Sequence, residues 1–421
     1  MRMIPCAIGA LGLCAGSLTG QAPAGAPGLR LTLAEARSMA QRTSPELAVA
    51  RQALAAARGR ERQAGAFPNP ILAYGREQTS RAGQTASQNI LSLEQRFEIG
   101  GQRGARRQAA GLLRAAAEAR MRAVAAQVDY DVTRSYAATV AADRRSVLVD
   151  EAAQAFANAG RVSGERLAVG DISGYEDRRL RLEAARYTAL RLAAVVARDS
   201  AVRILVSLIG LADSAARTGV PLLVDTLTPA PLALAEDSLV ARALASRPEL
   251  RAARLEAEAG QAEVGLARAE RIPTPALSGG FKNERITTGE SLNGFVLGLS
   301  LPLPLWDRRG GAIDAARADA ASRTAELEGL RRQTIREVRS AFEAHQAIAG
   351  QLAALQEQLG DDAAKARQAA GAAYGEGEIG LLEWLDAVRA YQEAEAAYAA
   401  LWAEYIARRG ALERVTGATL F

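Results

Sequence analysis

Residues 89–107 read NILSLEQRFEIGGQRGARR. From Leu91 to Ile99 the odd positions are Leu91, Leu93, Gln95, Phe97 and Ile99 and the even ones Ser92, Glu94, Arg96 and Glu98, a two-residue period that predicts a strand with one apolar face. Gly100-Gly101 then opens a long run of Ala, Arg, Glu and Leu at helical spacing. The pattern returns later in the chain. Leu91, Leu93, Phe97 and Ile99 align with Leu297, Leu299, Leu303 and Leu305, and Arg103-Gly104 with Arg309-Gly310. The offset is even, so parity survives: Phe295, Leu297, Leu299, Leu301, Leu303 and Leu305 share one face, and Gly294, Gly298, Ser300 and Pro302 the other.

Two further motifs recur in the same order. SPELAVAR at 44–51 returns as RPELRAAR at 247–254, and Phe67-Pro-Asn-Pro70 as Ile272-Pro-Thr-Pro275. The chain is therefore read as an internal repeat. Each half begins with a helix, about 32–66 and 235–271, stopped by a Pro-x-Pro that can neither donate to a helical ladder nor leave its preceding residue helical. Thr32-Leu-Ala-Glu35 is a capping-box pattern for the first copy, and the second lacks it. Strands are expected at about 70–79 and 88–99, and again at 275–283 and 293–305, joined by GQTAS at 83–87 and TTGES at 287–291. Two long helices with a glycine-containing break follow in each half, the breaks lying near Gly170 and Gly377. Gly104 to Val169 as one helix would extend roughly 100 Å at about 1.5 Å per residue. Trp384, Val388, Tyr391, Tyr398, Trp402, Tyr405 and Leu412, with Glu395 and Arg409 completing the 4,3 alternation, predict a coiled-coil seam. Leu180, Glu183, Tyr187, Leu190, Ala194, Ala197, Ala201, Ile204 and Leu208 predict another.

Hydrophobic content is 49% and aromatic content 5%, and alanine dominates the apolar fraction. Such material favours close-packed extended helices over a thick round core. The net charge of +5 comes almost wholly from arginine, Lys282 and Lys365 being the only lysines. Arg alternates with Glu and Asp along the helices and no basic block carries interleaved aromatics, so solvated faces are expected and no nucleic-acid partner. The two cysteines, Cys6 and Cys14, fall within an early-Arg, apolar, then small-residue stretch that reads as a signal peptide over 1–22. Leu13 precedes Cys14 where lipoprotein signals carry a small residue, which argues for cleavage near Gly20 to Ala22 over a lipid anchor. The expected domains are a linker at 23–30, a first repeat at 31–211 with its helical hairpin at about 101–211, an equatorial linker at 212–233, a second repeat at 234–416 with its hairpin at about 308–416, and a tail at 417–421.

Two-faced strands of about ten residues have the length a tilted strand needs to cross a bilayer. Narrow coiled coils offer no face to cover them, so lipid is the simpler cover. A sheet in hydrocarbon must close on itself, four strands fall short of the smallest usual barrel of about eight, and closure thus requires more than one copy. Trp306, at the end of the fourth strand, fits either an interfacial aromatic or packing on the adjoining helix.

The repeat, the PEL and Pro-x-Pro motifs, the strand running into Gly101-Gln-Arg103 and Asp307-Arg-Arg-Gly310, and the breaks RLAVGDISGYED at 166–177 and AYGEGEIGLLEWLDA at 373–387 together resemble the TolC-like outer-membrane efflux proteins over about 30–416. RFEIGGQRGARR further resembles the heavy-metal cation branch, the CzcC-like proteins. The resemblance implies a mainly α homotrimer with a small β part, forming a 12-stranded outer-membrane β-barrel continued by a periplasmic α-helical barrel. It implies a passive exit duct working with a periplasmic adaptor and an inner-membrane pump of the resistance-nodulation-division type. The adaptor-contact tips would be Arg166, Val169, Gly170, Asp171 and Ser173, and Gly377, Ile379, Gly380 and Leu381. Gly380 departs from the family's usual Ser or Thr, and Ala373 from a basic residue.

No phosphate-binding loop, nucleophile elbow, zinc-protease helix or triad is legible, so no enzyme activity and no cofactor are expected. His345, the only histidine, has no partner at metal-ligand spacing and is read as structural. Asp171, Glu176, Glu376, Glu378, Glu383 and Asp386 cluster near the breaks, either as solvated helix-end carboxylates or as rings around a lumen or gate. A periplasmic coiled-coil adaptor or scaffold, a type I secretion exit channel and an autonomous porin are the competing readings.

Overall fold

The computed structural model describes residues 31–81, 84–211, 234–285, 289–359 and 362–420. The signal peptide, Cys14 and the linkers expected at 23–30 and 212–233 lie outside them. Helices α1 (Leu33–Thr43) and α2 (Pro45–Ala64) lead into strands β1 (Ile71–Arg81) and β2 (Gln84–Arg96) and the hairpin of α3 (Gln102–Ala168) and α4 (Gly174–Leu208). The second half repeats the order with α5 (Glu236–Ser246), α6 (Pro248–Ala269), β3 (Ala276–Arg285), β4 (Ser291–Ser300), α7 (Gly310–Leu359), α8 (Asp362–Glu376) and α9 (Leu381–Thr416).

The single leading helix expected in each half is in fact two. Pro45 and Pro248 each occupy the first helical position of the second segment, and the residues before them, Ser44 and Arg247, are extended at ψ 125° and 123°. Proline tolerates a helix start and excludes the helical conformation one residue earlier, so the PEL motif is a break inside an otherwise continuous apolar period. The capping box is present as expected: Glu35 N donates to Thr32 Oγ1 at 3.2 Å and Thr32 N to Glu35 Oε2 at 2.8 Å. Ala235, its counterpart, makes no side-chain cap.

The four strands form one antiparallel sheet in the order β1-β2-β3-β4. Three boundaries differ from expectation by three residues or more. β2 begins at Gln84, inside the segment expected to be a turn, because its polar start continues the ladder through Arg81↔Gln84. β2 stops at Arg96 and β4 at Ser300, not at 99 and 305, although the two-residue sidedness runs on. Pro302 and Pro304 lack the N–H a ladder requires. The corners after the two strands also differ. The left-handed residue before the long helix is Gly101 at φ 76° in the first half but Arg309 at φ 59° in the second, so Arg103 is helical whereas its aligned partner Arg309 precedes its helix.

Pairing places Leu72, Tyr74, Leu91, Leu93, Leu277, Phe281, Phe295, Leu297 and Leu299 on one face. The opposite face carries Glu77, Gln88, Ser92, Glu94, Ser278, Lys282 and Glu284, together with Ile71, Ile90, Leu292 and Val296. The expected parity is thus borne out across both repeats.

The helical hairpins pack around three clusters. One joins Leu31, Ala36, Val132, Tyr136, Val206, Leu352, Trp402, Tyr405 and Ile406, drawing α1, α3, α4, α7 and α9 together. The seam of α9 is buried as expected at Trp384, Val388, Tyr391, Trp402, Tyr405 and Leu412. The seam of α4 holds at Leu180, Tyr187 and Ala194, then moves to Val202, Leu205, Val206 and Ile209, leaving Leu190 and Ile204 exposed. A straight helix drifts about 20° per heptad against a strict seven-residue repeat, and this shift is that drift accumulated.

Candidate functional site

The sheet is the first functional surface. Leu297, Phe295 and Leu299 are 84%, 80% and 75% exposed, and Leu72, Tyr74, Phe281 and Leu93 are also exposed. Among the described residues no helix covers them. The ten residues of β4, Ser291–Ser300, span roughly 33 Å of extended chain, or roughly 25 Å along a membrane normal at about 40° tilt, the height of a barrel's lipid band. Trp306 lies beyond this strand at 92% exposure, so it does not pack on the helix that follows.

The two glycine-containing breaks form the second surface. α3 ends at Ala168, Val169 projects into solvent, and Gly170 at φ 79° reverses the chain without a Cβ penalty. Asp171 N donates to the Arg166 carbonyl at 3.0 Å while the Asp171 carboxylate lies 3.4 Å from Arg166 Nε. Ser173 caps α4: Glu176 N donates to its Oγ at 3.3 Å, and Ser173 N donates to Glu176 Oε2 at 2.9 Å. In the second break Gly377 takes φ 80°, Glu378 N donates to the Ala373 carbonyl at 2.8 Å, and Gly380 N donates to Glu383 Oε2 at 3.0 Å. Ile379 and Leu381 turn inward onto a shared apolar cluster. A Cβ on Gly377 would lie 4.0 Å from Arg166 Nη2, so the two breaks meet at one end of the molecule.

That cluster was not legible as a unit. Phe156 of α3 stacks on Tyr187 of α4 at 4.5 Å and meets Trp384 of α9 edge-on at 5.3 Å, and Trp384 stacks on Tyr374 of α8 at 5.0 Å. Arg389 pairs with Glu183 across the two hairpins. Asp177, also missed, is buried beside the first break, accepting from Ser163 Oγ at 3.1 Å and pairing with Arg181 Nε at 2.9 Å. The acidic candidates do not converge within one chain. Asp171 faces Arg166, Glu176 and Glu383 are engaged at helix starts, and Glu376, Glu378 and Asp386 point to solvent. Ser173→Ala is expected to loosen the first break by about 1 kcal/mol, read as faster amide exchange at residues 173–176.

His345 is buried against the Tyr405 ring at 5.3 Å. Burial, and then the charge of Arg409, hold its pKa below the usual 6.5. A histidine with a depressed folded-state pKa keeps its full contribution above the unfolded value and loses it as pH falls from there through the folded value. Melting curves between pH 8 and 5 should therefore show wild-type stability falling below about pH 6.5, with His345→Phe flattening that decline. Among the described residues no group of three or more His, Cys, Asp or Glu side chains is placed to hold a metal ion.

The family model described as "Outer membrane efflux protein" matches residues 239–418, which span α5 to α9. Residues 239–418 belong to the outer membrane efflux protein family. The chain is 27% identical over 390 residues to the cobalt-zinc-cadmium resistance protein CzcC of Cupriavidus metallidurans, covering 92% of this chain and 90% of that one. It is 29% identical over 348 residues to the nickel-cobalt-cadmium resistance protein NccC of Alcaligenes xylosoxydans xylosoxydans, covering 79% and 72%. In fold it is similar to the Campylobacter jejuni CmeC outer membrane channel, with a TM-score of 0.76 at 16% identity over 92% of this chain and 86% of that one. As an outer membrane efflux protein the chain is an outer-membrane channel component of an efflux system. Its sheet with an exposed apolar face and its long helical hairpins are the parts that such a channel requires.

Proposed function

We propose that three copies assemble into a passive duct that releases heavy-metal cations delivered by an inner-membrane pump through a periplasmic adaptor docked at the two tips. The observation that carries the reading is the four-stranded sheet with one uncovered apolar face, on a chain whose similar relatives include two metal-resistance proteins. A single chain leaves the outer edges of β1 and β4 open, which hydrocarbon does not tolerate. Supplying the missing pairs from identical neighbours satisfies every strand. Cation choice resides in the pump and adaptor in this reading, the duct offering a polar inner face. Deleting the gene should raise sensitivity to cobalt, zinc or cadmium ions and increase their accumulation, with wild-type protein restoring both. Unchanged metal tolerance with altered drug susceptibility would overturn the cation assignment while leaving the duct standing.

The tip carboxylates supply a separate test. Three copies of Asp171 and Asp386 would place a ring of negative charge near the periplasmic end. Replacing both by asparagine should reduce the cation preference of the purified channel in a planar bilayer, and an unchanged preference and open probability would eliminate the ring.

A further inference from the structure

We infer that β4 of one copy pairs with β1 of the next in a defined register, Leu299 opposite Tyr74 of the partner subunit and Ser300 opposite Ala73 of the partner subunit. The inference rests on the assembly reading above and adds the pairing itself. Its basis is the repeat. Advancing Leu72 by 205 and its partner Leu93 by 206 gives Leu277 and Leu299, which the second hairpin also pairs. The two hairpins are therefore equivalent strand for strand. The chain also contains one junction between hairpins, β2 with β3, where Leu93 faces Gly279 and Glu94 faces Ser278. Applying the same shifts to that junction gives the β4 to β1 register between copies.

Three features fit this register. Gly75 is the counterpart of Gly280. A Cβ on Gly280 would lie 2.8 Å from Ser92 Cα and closer still to the Leu91 carbonyl oxygen, so glycine is required there. Gly75 has nothing within 4 Å in its own chain, and the carried register brings Leu297 and Gly298 of the partner subunit to it. Next, β4 ends at Ser300 whereas β2 ends at Arg96, whose counterpart is Pro302, so β4 lacks the last two positions that a neighbouring strand would order. Finally, Phe97 N donates to the Pro275 carbonyl at 2.9 Å. Backbone N–H groups alternate in direction along an antiparallel strand, so the N–H of Arg96 points away from β3. Pro302 therefore forfeits no bond to the partner, while Leu303 N–H is placed to donate to Pro70 of the partner subunit.

The register also closes a barrel. Ile71 pairs with Glu94, Glu94 with Ser278, Ser278 with Gly298, and Gly298, by the carried register, with Gly75 of the partner subunit. One copy thus advances the pairing from residue 71 to residue 75, an even step that keeps the apolar residues outside. With about 3.3 Å per residue and about 4.8 Å per strand, that step corresponds to a strand tilt of roughly 35°, at the edge of the range of membrane barrels.

Paired cysteines test it in the full chain in outer membranes. Ser300→Cys with Ala73→Cys, and Val296→Cys with Glu77→Cys, should form covalent trimers on oxidation. Ser300→Cys with Ile71→Cys, and Val296→Cys with Thr79→Cys, probe two-residue slips in either direction and should cross-link at least about tenfold less, since disulfides need Cα atoms within about 7 Å. Within one chain β1 and β4 lie about 14 Å apart, so each bridge must join two copies. Single-cysteine variants account for Cys6 and Cys14. Preferential cross-linking of a slipped pair in a preparation whose native mass is trimeric would overturn the register and leave the assembly intact. A monomeric native mass would end both. Gly75→Val should independently cut the trimer fraction about tenfold by native mass spectrometry, as a side chain meeting backbone at a strand junction would.

Discussion

Leu297→Arg is expected to abolish accumulation of the detergent-extractable assembly in outer membranes, whereas Gln88→Arg should leave it nearly unchanged. The two positions lie on opposite faces of one sheet. Leu297 is 84% exposed beside Leu299 and Phe295 on the apolar side, so arginine there must enter hydrocarbon. A lipid-facing arginine near the bilayer midplane costs about 2–4 kcal/mol, and an assembly of identical copies incurs that cost in each. Gln88 instead faces Glu77 on β1 and Glu284 on β3, so an added positive charge meets carboxylates on a polar surface. Membrane fractionation followed by extraction reads both outcomes. Equal losses from the two variants would show that the sheet has no lipid side, and with that the channel reading of the fold would fall.

What the residues reveal in advance depends on how local the governing physics is. Strand sidedness is local, so Leu91, Leu93, Leu297 and Leu299 were placed on one face by alternation alone, and the pairing confirms it. Helix termination at Pro-x-Pro and the Thr32 capping box are local too. The breaks at Pro45 and Pro248 were equally legible in principle. They were masked by an apolar period that continues across them, because a helix kinked at a proline start can still present the same face. The strand ends were misread for a different reason. Sidedness reports which way a side chain points, whereas a ladder needs a partner, and Leu301, Leu303 and Leu305 keep the first while lacking the second within one chain. The seam of α4 shows the limit of fixed spacing, since Leu190 and Ile204 satisfy the heptad but rotate away as the helix drifts. Leu182, Leu192 and Val196 are exposed on the same helix, an apolar excess that one chain does not use.

The tip was legible in its turns and illegible in its clamp. Gly170 and Gly377 mark reversals because each needs a positive φ. Nothing local links Phe156 to Trp384, which are brought together only when the two hairpins pack side by side. Asp177 is similar: its burial depends on Ser163, on the opposite limb of the hairpin.

Phe156→Ala is the substitution expected to separate the tips from the rest of the molecule. Phe156 is fully buried, touches Tyr187 and Trp384, and through Trp384 reaches Tyr374, so one ring joins both limbs of the first hairpin to the second. Truncating a buried phenylalanine costs about 3–5 kcal/mol through lost contacts and the cavity left behind. The loss falls at the far end of helices whose other contacts lie in the separate cluster around Tyr136 and Tyr405, so those contacts should hold. Local opening at the tips should become about 10²–10⁴-fold more frequent, with amide exchange accelerating at 152–187 and 374–388 and staying slow at 128–140 and 402–412. Phe156→Leu, which retains most of the volume, should give a much smaller effect. Uniform acceleration along both hairpins would mean that the aromatic clamp and the cluster around Tyr136 and Tyr405 unfold as one unit. In that case the tips would have no mobility independent of the rest of the hairpins.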